Sequence, residues 1–452
     1  MRVTIESSSM IKPAEPSWTG RLPLSELDQT GMNTHVPTIY FYTKPSDDWD
    51  IVLQSLKASL TTTLVHFYPL ASRLSSITGR RLELDCNATG VQFIEAYADV
   101  KLADLDDFMQ SPIFHHLIPS VDYRHTPLEE IPLLLLQATK FVCGGWSLGF
   151  YISHVVVDGQ SALHFLSEWA RVCRGEPLHS QPYLDRKCLH AGEPPTTTCS
   201  NIEHHVQFRP PPIILGQSSN VNERTMDTTV AMLKLSETQV EKLRNKANNS
   251  RKKETDRGFT RYEVVTAHAW RTACKARNLE LEQPTAVGIC IDVRTRMNPP
   301  LPENYFGNAI IDVIATGTSG ELLSETLGYV STKIRDAIQK VDGEYVNSVI
   351  DFLKNQEDLS NFQDLQRSGD DKGPFYGNPN LGVVSWLTLP MYGVDFGWGK
   401  EVFTGPGTDD ADDGDFLILR GEEGGGSLVV ALCLQVRHMD DFKRVFYQSI
   451  ED

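Results

Sequence analysis

Apolar and polar positions along this chain switch repeatedly between a period of two and a period near 3.6. The switches predict strands and helices mixed from end to end. Residues 36–42 (VPTIYFY) are rich in β-branched and aromatic side chains and predict a strand. Ser46 then stands where a helix cap belongs. Asp47 and Asp48 fall in the first turn, and Ile51, Leu53, Leu56 and Leu60 recur at roughly helical spacing. Residues 82–84 and 91–94 predict short strands on either side of the turn Asn87-Ala88-Thr89-Gly90. The pattern is sharpest over residues 133–170. A strand at 133–141, a Gly144-Gly145 turn and a second strand ending at Ser153 lead to a helix at 160–171. That helix carries Ala162, Phe165, Leu166 and Trp169 on one side.

Beyond Arg174 the periodicity fades, and Pro194-Pro195 and Pro210-Pro211-Pro212 interrupt what remains. This predicts a crossover linker at 201–224 between an N-terminal domain over 1–200 and a C-terminal domain over 225–452. In the second half strands and helices alternate again. Ser236 with Gln239, and Thr260 with Glu263, form capping boxes that announce two helices. The acidic stretch 409–415 and the glycine-rich stretch 421–426 read as exposed turns around a strand at 416–419.

Composition narrows the function classes. The 452 residues are 40% apolar and 22% charged, as in an ordinary globular protein able to bury a large core. The eight cysteines are scattered without a C-x-x-C pair. That favours reduced thiols in a cytoplasmic setting over a zinc site or a disulfide scaffold. The first 16 residues lack the apolar core of a signal peptide, and no apolar run approaches the ~20 residues that span a bilayer. A net charge of −17 disfavours nucleic acid as a partner. It suits a cationic substrate, and equally plain solubility.

The candidate chemistry centres on His154-Val155-Val156-Val157-Asp158-Gly159. An imidazole at the end of an apolar strand can serve as a general base near neutral pH, although a lone strand-end His is also an ordinary core residue. The three β-branched valines start a helix poorly, so His154 and Asp158 are not expected on one helical face. A second cluster, Asp395-Phe396-Gly397-Trp398-Gly399, follows Ser385-Trp386 and reads as a tight turn under a large aromatic.

In this order and separation the two motifs resemble those of the BAHD acyltransferases, plant enzymes that move acyl groups from coenzyme A to alcohols or amines. Residues 65–74 (VHFYPLASRL), 159–162 (GQSA), 292–296 (DVRTR) and 304–309 (NYFGNA) agree, so the resemblance spans essentially the whole chain. It implies an α/β fold with mixed sheets, built as two chloramphenicol-acetyltransferase-like domains with a channel between them. Part of 375–400 would cross over to complete the first domain's sheet. A CoA thioester would be co-substrate, with no resident cofactor and no metal, and the enzyme would be a monomer. His154 would be the base and Trp386 the oxyanion donor through its indole N–H. Thr38 and Tyr40 would face the substrate. Asp158 would pair with Arg294 as a structural element, and Asp395, Gly397 and Trp398 would be structural too. For the CoA phosphates the resemblance leaves Arg251, Lys252 and Lys253, with Thr260 and Arg261 at the start of a helix; a solvated basic loop is an equal reading of 251–253.

Residues 35–47, 175–187, 258–277 and 373–401 are most similar to family members that acylate spermidine. Shikimate-type members carry an Arg shortly before their Ser-Trp dipeptide to grip the acceptor carboxylate; this chain has none from Ser368 to Asp395. The expectation is therefore hydroxycinnamoyl transfer from a CoA thioester to spermidine amines, with Asp370 and Asp371 candidates for holding the polyamine. The alternative is O-acylation of an alcohol such as shikimate or quinate. A third reading is an inactive binding protein of the same fold.

Overall fold

A computed structural model describes residues 2–105, 112–195, 223, 226–250, 257–364, 377–407, 411–421 and 424–451. The expected contributions of Asp370, Asp371, Arg251, Lys252 and Lys253 therefore lie outside the described residues. Among those described, no helix is long and apolar enough to cross a membrane. Among the described residues no group of His, Cys, Asp or Glu is arranged to hold a metal. The seven described cysteines are free thiols.

Two six-stranded mixed sheets organise the molecule. The first runs in the order Val3–Ile11, Val91–Ala98, Leu134–Phe141, Trp146–Ser153, His35–Tyr42, Phe403–Pro406. At its centre the Leu134–Phe141 and Trp146–Ser153 strands form an antiparallel hairpin that is buried almost throughout. Strand His35–Tyr42 shows why both faces are apolar. Tyr40 and Tyr42 enter one core with Leu56, Leu60, Phe165 and Trp169 from helices Trp49–His66 and Gly159–Cys173, whereas Ile39 and Phe41 enter a smaller core with Phe114, Leu117 and Ile118. Gly149 marks the closest approach on that smaller side: a Cβ there would lie 2.2 Å from the carbonyl oxygen of Leu117.

The second sheet runs Thr228–Leu235, Leu428–Gln435, Asp415–Arg420, Leu381–Ser385, Pro284–Asp292, Ile310–Thr318. Val287, Ile289 and Ile291 alternate with Gly288, Cys290 and Asp292. The first set joins a core under helices Arg261–Ala276, Leu327–Gln339 and Val436–Glu451, and the second faces a cavity. Both expected capping boxes form, Ser236 with Gln239 and Thr260 with Glu263.

Two local expectations need correction, and a third is met in a different setting. The first long helix begins at Trp49 with Asp48 as its N-cap residue, so Ser46 does not cap it and Asp47 lies outside; Ile51 is 50% exposed, and Val52 takes its place in the core. The short strands expected on either side of the 87–90 turn are present as Leu82–Cys86 and Val91–Ala98; the first joins a small sheet with Gly20–Pro23 and Arg73–Ser76, and the second belongs to the large sheet. The crossing strand is not within 375–400. Leu381–Ser385 stays in the second sheet, Met391, Val394 and Phe396 pack into the first half's core, and Phe403–Pro406 extends the first sheet beside His35–Tyr42.

Candidate active site

The hairpin delivers His154 to a turn at the end of strand Trp146–Ser153. Its backbone N–H donates to the carbonyl of Thr34 at 2.9 Å, and its own carbonyl accepts the side-chain amide of Asn308 at 2.7 Å. Val155, Val156 and Val157 are buried and anchor the turn. The half-buried imidazole lies on the wall of a cavity of about 580 Å³ that both halves of the chain line. Thr38, Tyr40 and Asp158 come from one half, and Cys290, Asp312 and Trp386 from the other. Burial pushes the Tyr40 phenol well above its ordinary value, so it stays protonated.

Asp158 caps helix Gly159–Cys173, accepting the Ser161 N–H at 2.9 Å. The same oxygen accepts Arg294 Nη2 at 2.9 Å; the other receives the Ala309 N–H at 2.9 Å and Arg294 Nη1 at 2.8 Å. Burial alone would raise this carboxyl, but Arg294 and the two backbone donors outweigh it and hold the carboxyl below its ordinary value. Four donors occupy both oxygens, so Asp158 serves as a cap and inter-half tie and does not orient the imidazole in the manner of a triad.

The second motif is built as a turn outside the cavity. Asp395 Oδ1 accepts the N–H groups of Gly397 (2.7 Å) and Gly399 (3.0 Å), both glycines having positive φ. The Asp395 carbonyl accepts Arg174, and Trp398 Nε1 donates to Asp47 Oδ2 at 2.8 Å. Thr260 and Arg261 are exposed and do not line the cavity; the Thr260 hydroxyl is engaged in its capping box with Glu263.

A family model described as the Transferase family matches residues 1–449. The chain belongs to that family, the BAHD acyltransferases. It is 43% identical to a hydroxycinnamoyl-CoA:piscidic acid hydroxycinnamoyltransferase of Actaea racemosa and 36% identical to a shikimate O-hydroxycinnamoyltransferase of Nicotiana tabacum, covering 99% of this chain and 100% of each relative. Vinorine synthase shares the fold, with a TM-score of 0.73 at 22% identity over 97% of this chain and 96% of that one. BAHD acyltransferases draw their acyl group from a CoA thioester co-substrate.

Two groups of residues escaped the sequence reading. The first frames the backbone of this BAHD motif: buried Asp28 accepts Arg186 at 3.0 Å and the Asn308 N–H at 2.8 Å, and Arg186 also donates to the carbonyl of Val156. The second is the cross-strand pair Cys290 and Asp312, which face the cavity from neighbouring strands. The interruption of the apolar run 309–314 (AIIDVI) by an acid was the signal for it. Burial, with Asp312 and Asp158 nearby, pushes the Cys290 thiol well above its ordinary value. It therefore stays protonated, which argues against a thiolate nucleophile despite its place in an acyltransferase cavity.

Proposed function

We propose that this chain transfers a hydroxycinnamoyl group from its CoA thioester to a hydroxyl group of a small acceptor. The observation that carries the reading is the His154 imidazole on the wall of a cavity shared by both halves, with Asp158 fully engaged elsewhere. His154 takes the acceptor's proton as its oxygen attacks the thioester carbonyl. The Trp386 indole N–H donates to the oxygen that becomes negative. The adduct collapses by breaking the C–S bond, and the departing thiolate recovers the proton from the imidazolium, giving ester and free CoA. A hydroxyl acceptor is supported by the relatives named for piscidic acid and for shikimate O-acylation.

Acylation of spermidine amines is the second reading, and the charge of the cavity favours it. Among the described residues Asp158, Asp292, Asp312, Asp412 and Asp415 line it against two arginines, Arg294, which pairs with Asp158 and Asp292, and Arg296, which donates to the carbonyls of Ile338 and Val341. Purified protein incubated with caffeoyl-CoA or feruloyl-CoA and, separately, shikimate, quinate, piscidic acid and spermidine decides between them. Ester formation supports the first reading. Product with spermidine alone replaces it with the second, and thioester left intact with every acceptor points to a binding protein.

A further inference from the structure

Asp312 sits near the start of strand Ile310–Thr318, opposite Cys290 on strand Pro284–Asp292, and both side chains face the cavity that holds His154. A carboxyl on an otherwise apolar strand is costly unless something compensates it. Asp158 and Asp28 are each compensated by an arginine and by backbone donors. Asp312 has no arginine or lysine partner among the described residues; the groups that act on it are the His154 imidazole and the Cys290 thiol. Asn308, four residues earlier, fixes the His154 carbonyl at 2.7 Å, so the loop leading into this strand also sets where the imidazole stands.

We propose that Asp312 is the electrostatic partner of His154, its carboxylate stabilising the imidazolium that forms when the acceptor's proton is taken. The proposal rests on the base role of His154. It assigns to the second half of the chain a task for which the motif's own Asp158 has no free oxygen. Asp312 acts through His154 and is a positioning residue. Burial raises its carboxyl above the ordinary value, and a charged His154 offsets part of that rise, so the two charges favour each other. The other titratable groups facing the pair are accounted for by burial or by ion pairs of their own. Cys290 and Tyr262 are held protonated by burial, while Asp158 and Asp292 are tied to Arg294.

The test compares wild type, Asp312→Asn, Asp312→Glu, His154→Ala and the Asn/Ala double variant. Steady-state kinetics are run from pH 5.5 to 9 with caffeoyl-CoA and shikimate, or spermidine if that is the acceptor turned over. Asp312→Asn is expected to lower kcat about tenfold or more while leaving the KM for caffeoyl-CoA unchanged. The acidic limb of its kcat/KM profile should move about one unit to lower pH. Asp312→Glu should recover part of the rate, and the Asn substitution should add nothing in the His154→Ala background. The melting temperature of Asp312→Asn should equal or exceed that of wild type, because burial disfavours the charged form of this carboxyl. An unaltered kcat and acidic limb in Asp312→Asn, beside an inactive His154→Ala, overturns the partnership alone. Full turnover by His154→Ala overturns the base reading and this proposal with it. A collapse of the Asp312→Asn fold shows that the carboxylate is kept for packing, and likewise overturns the proposal.

Discussion

Arg294 closes a two-pronged ion pair on Asp158, at 2.8 and 2.9 Å, and in doing so joins the second half of the chain to the residue that caps the helix after His154. The pair is buried on both sides, with Asp158 2% and Arg294 7% exposed. Its worth is therefore greatest when one partner is removed, because the other is left as an uncompensated buried charge.

Asp158→Ala is expected to destabilise the protein by about 3–5 kcal/mol. The pH dependence has a definite sign. The folded carboxyl is held below its ordinary value, so its stabilisation is present above about pH 4 and is lost as pH falls through the folded pKa. Urea unfolding of wild type and Asp158→Asn at pH 7 and below pH 4 should show the difference between them shrinking in acid. An undiminished difference contradicts the ion-pair account.

His154→Ala should reduce kcat by about 10²–10⁴. The bonds that anchor this residue are made by its backbone, which alanine retains, so the unfolding free energy should change by no more than about 0.5 kcal/mol. Parallel turnover and denaturation curves separate a chemical role from a structural one. A large stability loss would assign the imidazole to packing.

Two other histidines predict an acid-sensitive fold. His35 accepts from the Tyr123 hydroxyl and donates to the carbonyl of Pro132; His268 donates to the carbonyl of Phe446 at 2.9 Å. Burial depresses each from 6.5 to about 4. Between those values the unfolded chain binds a proton that the folded chain refuses. Each residue therefore removes up to about 1.4 kcal/mol of stability per unit of falling pH. Unfolding measured at half-unit steps from pH 7 to 4 should show this slope, and His268→Gln should flatten it.

Asp395→Ala removes the acceptor of the Gly397 and Gly399 N–H groups and should cost about 1–2 kcal/mol. The motif lies outside the cavity, so kcat of the folded fraction should stay within a factor of two or so of wild type. A variant of normal stability and abolished turnover would instead place Asp395 in the chemistry.

Local pattern made the central hairpin legible, because a period of two and a Gly-Gly turn need no distant information. The start of the first long helix was not legible, since Ser46, Asp47 and Asp48 are all acceptable caps. What decides among them includes an indole 351 positions away, the Trp398 ring that engages Asp47. The crossing strand Phe403–Pro406 spans four residues and contains Gly405 and Pro406, so its own sequence resembles a turn; its pairing with His35–Tyr42 makes it a strand. The family motifs pointed to His154, Asp158 and Arg294. Asp312 belongs to no motif and emerges only when two neighbouring strands turn the same face to one cavity.

The place of Phe403–Pro406 at the edge of the first sheet also governs how the protein is made. The ribosome completes His35–Tyr42 about 360 residues before it reaches that partner. At usual translation rates the interval is roughly 20 to 70 seconds. Throughout it, the strand carrying Thr38 and Tyr40 presents an unpaired edge, the kind of surface that recruits other chains. The N-terminal half thus emerges first but finishes its sheet only after most of the chain exists. A nascent chain stalled between the halves would have His154 in hand and an open, association-prone sheet where the substrate wall belongs.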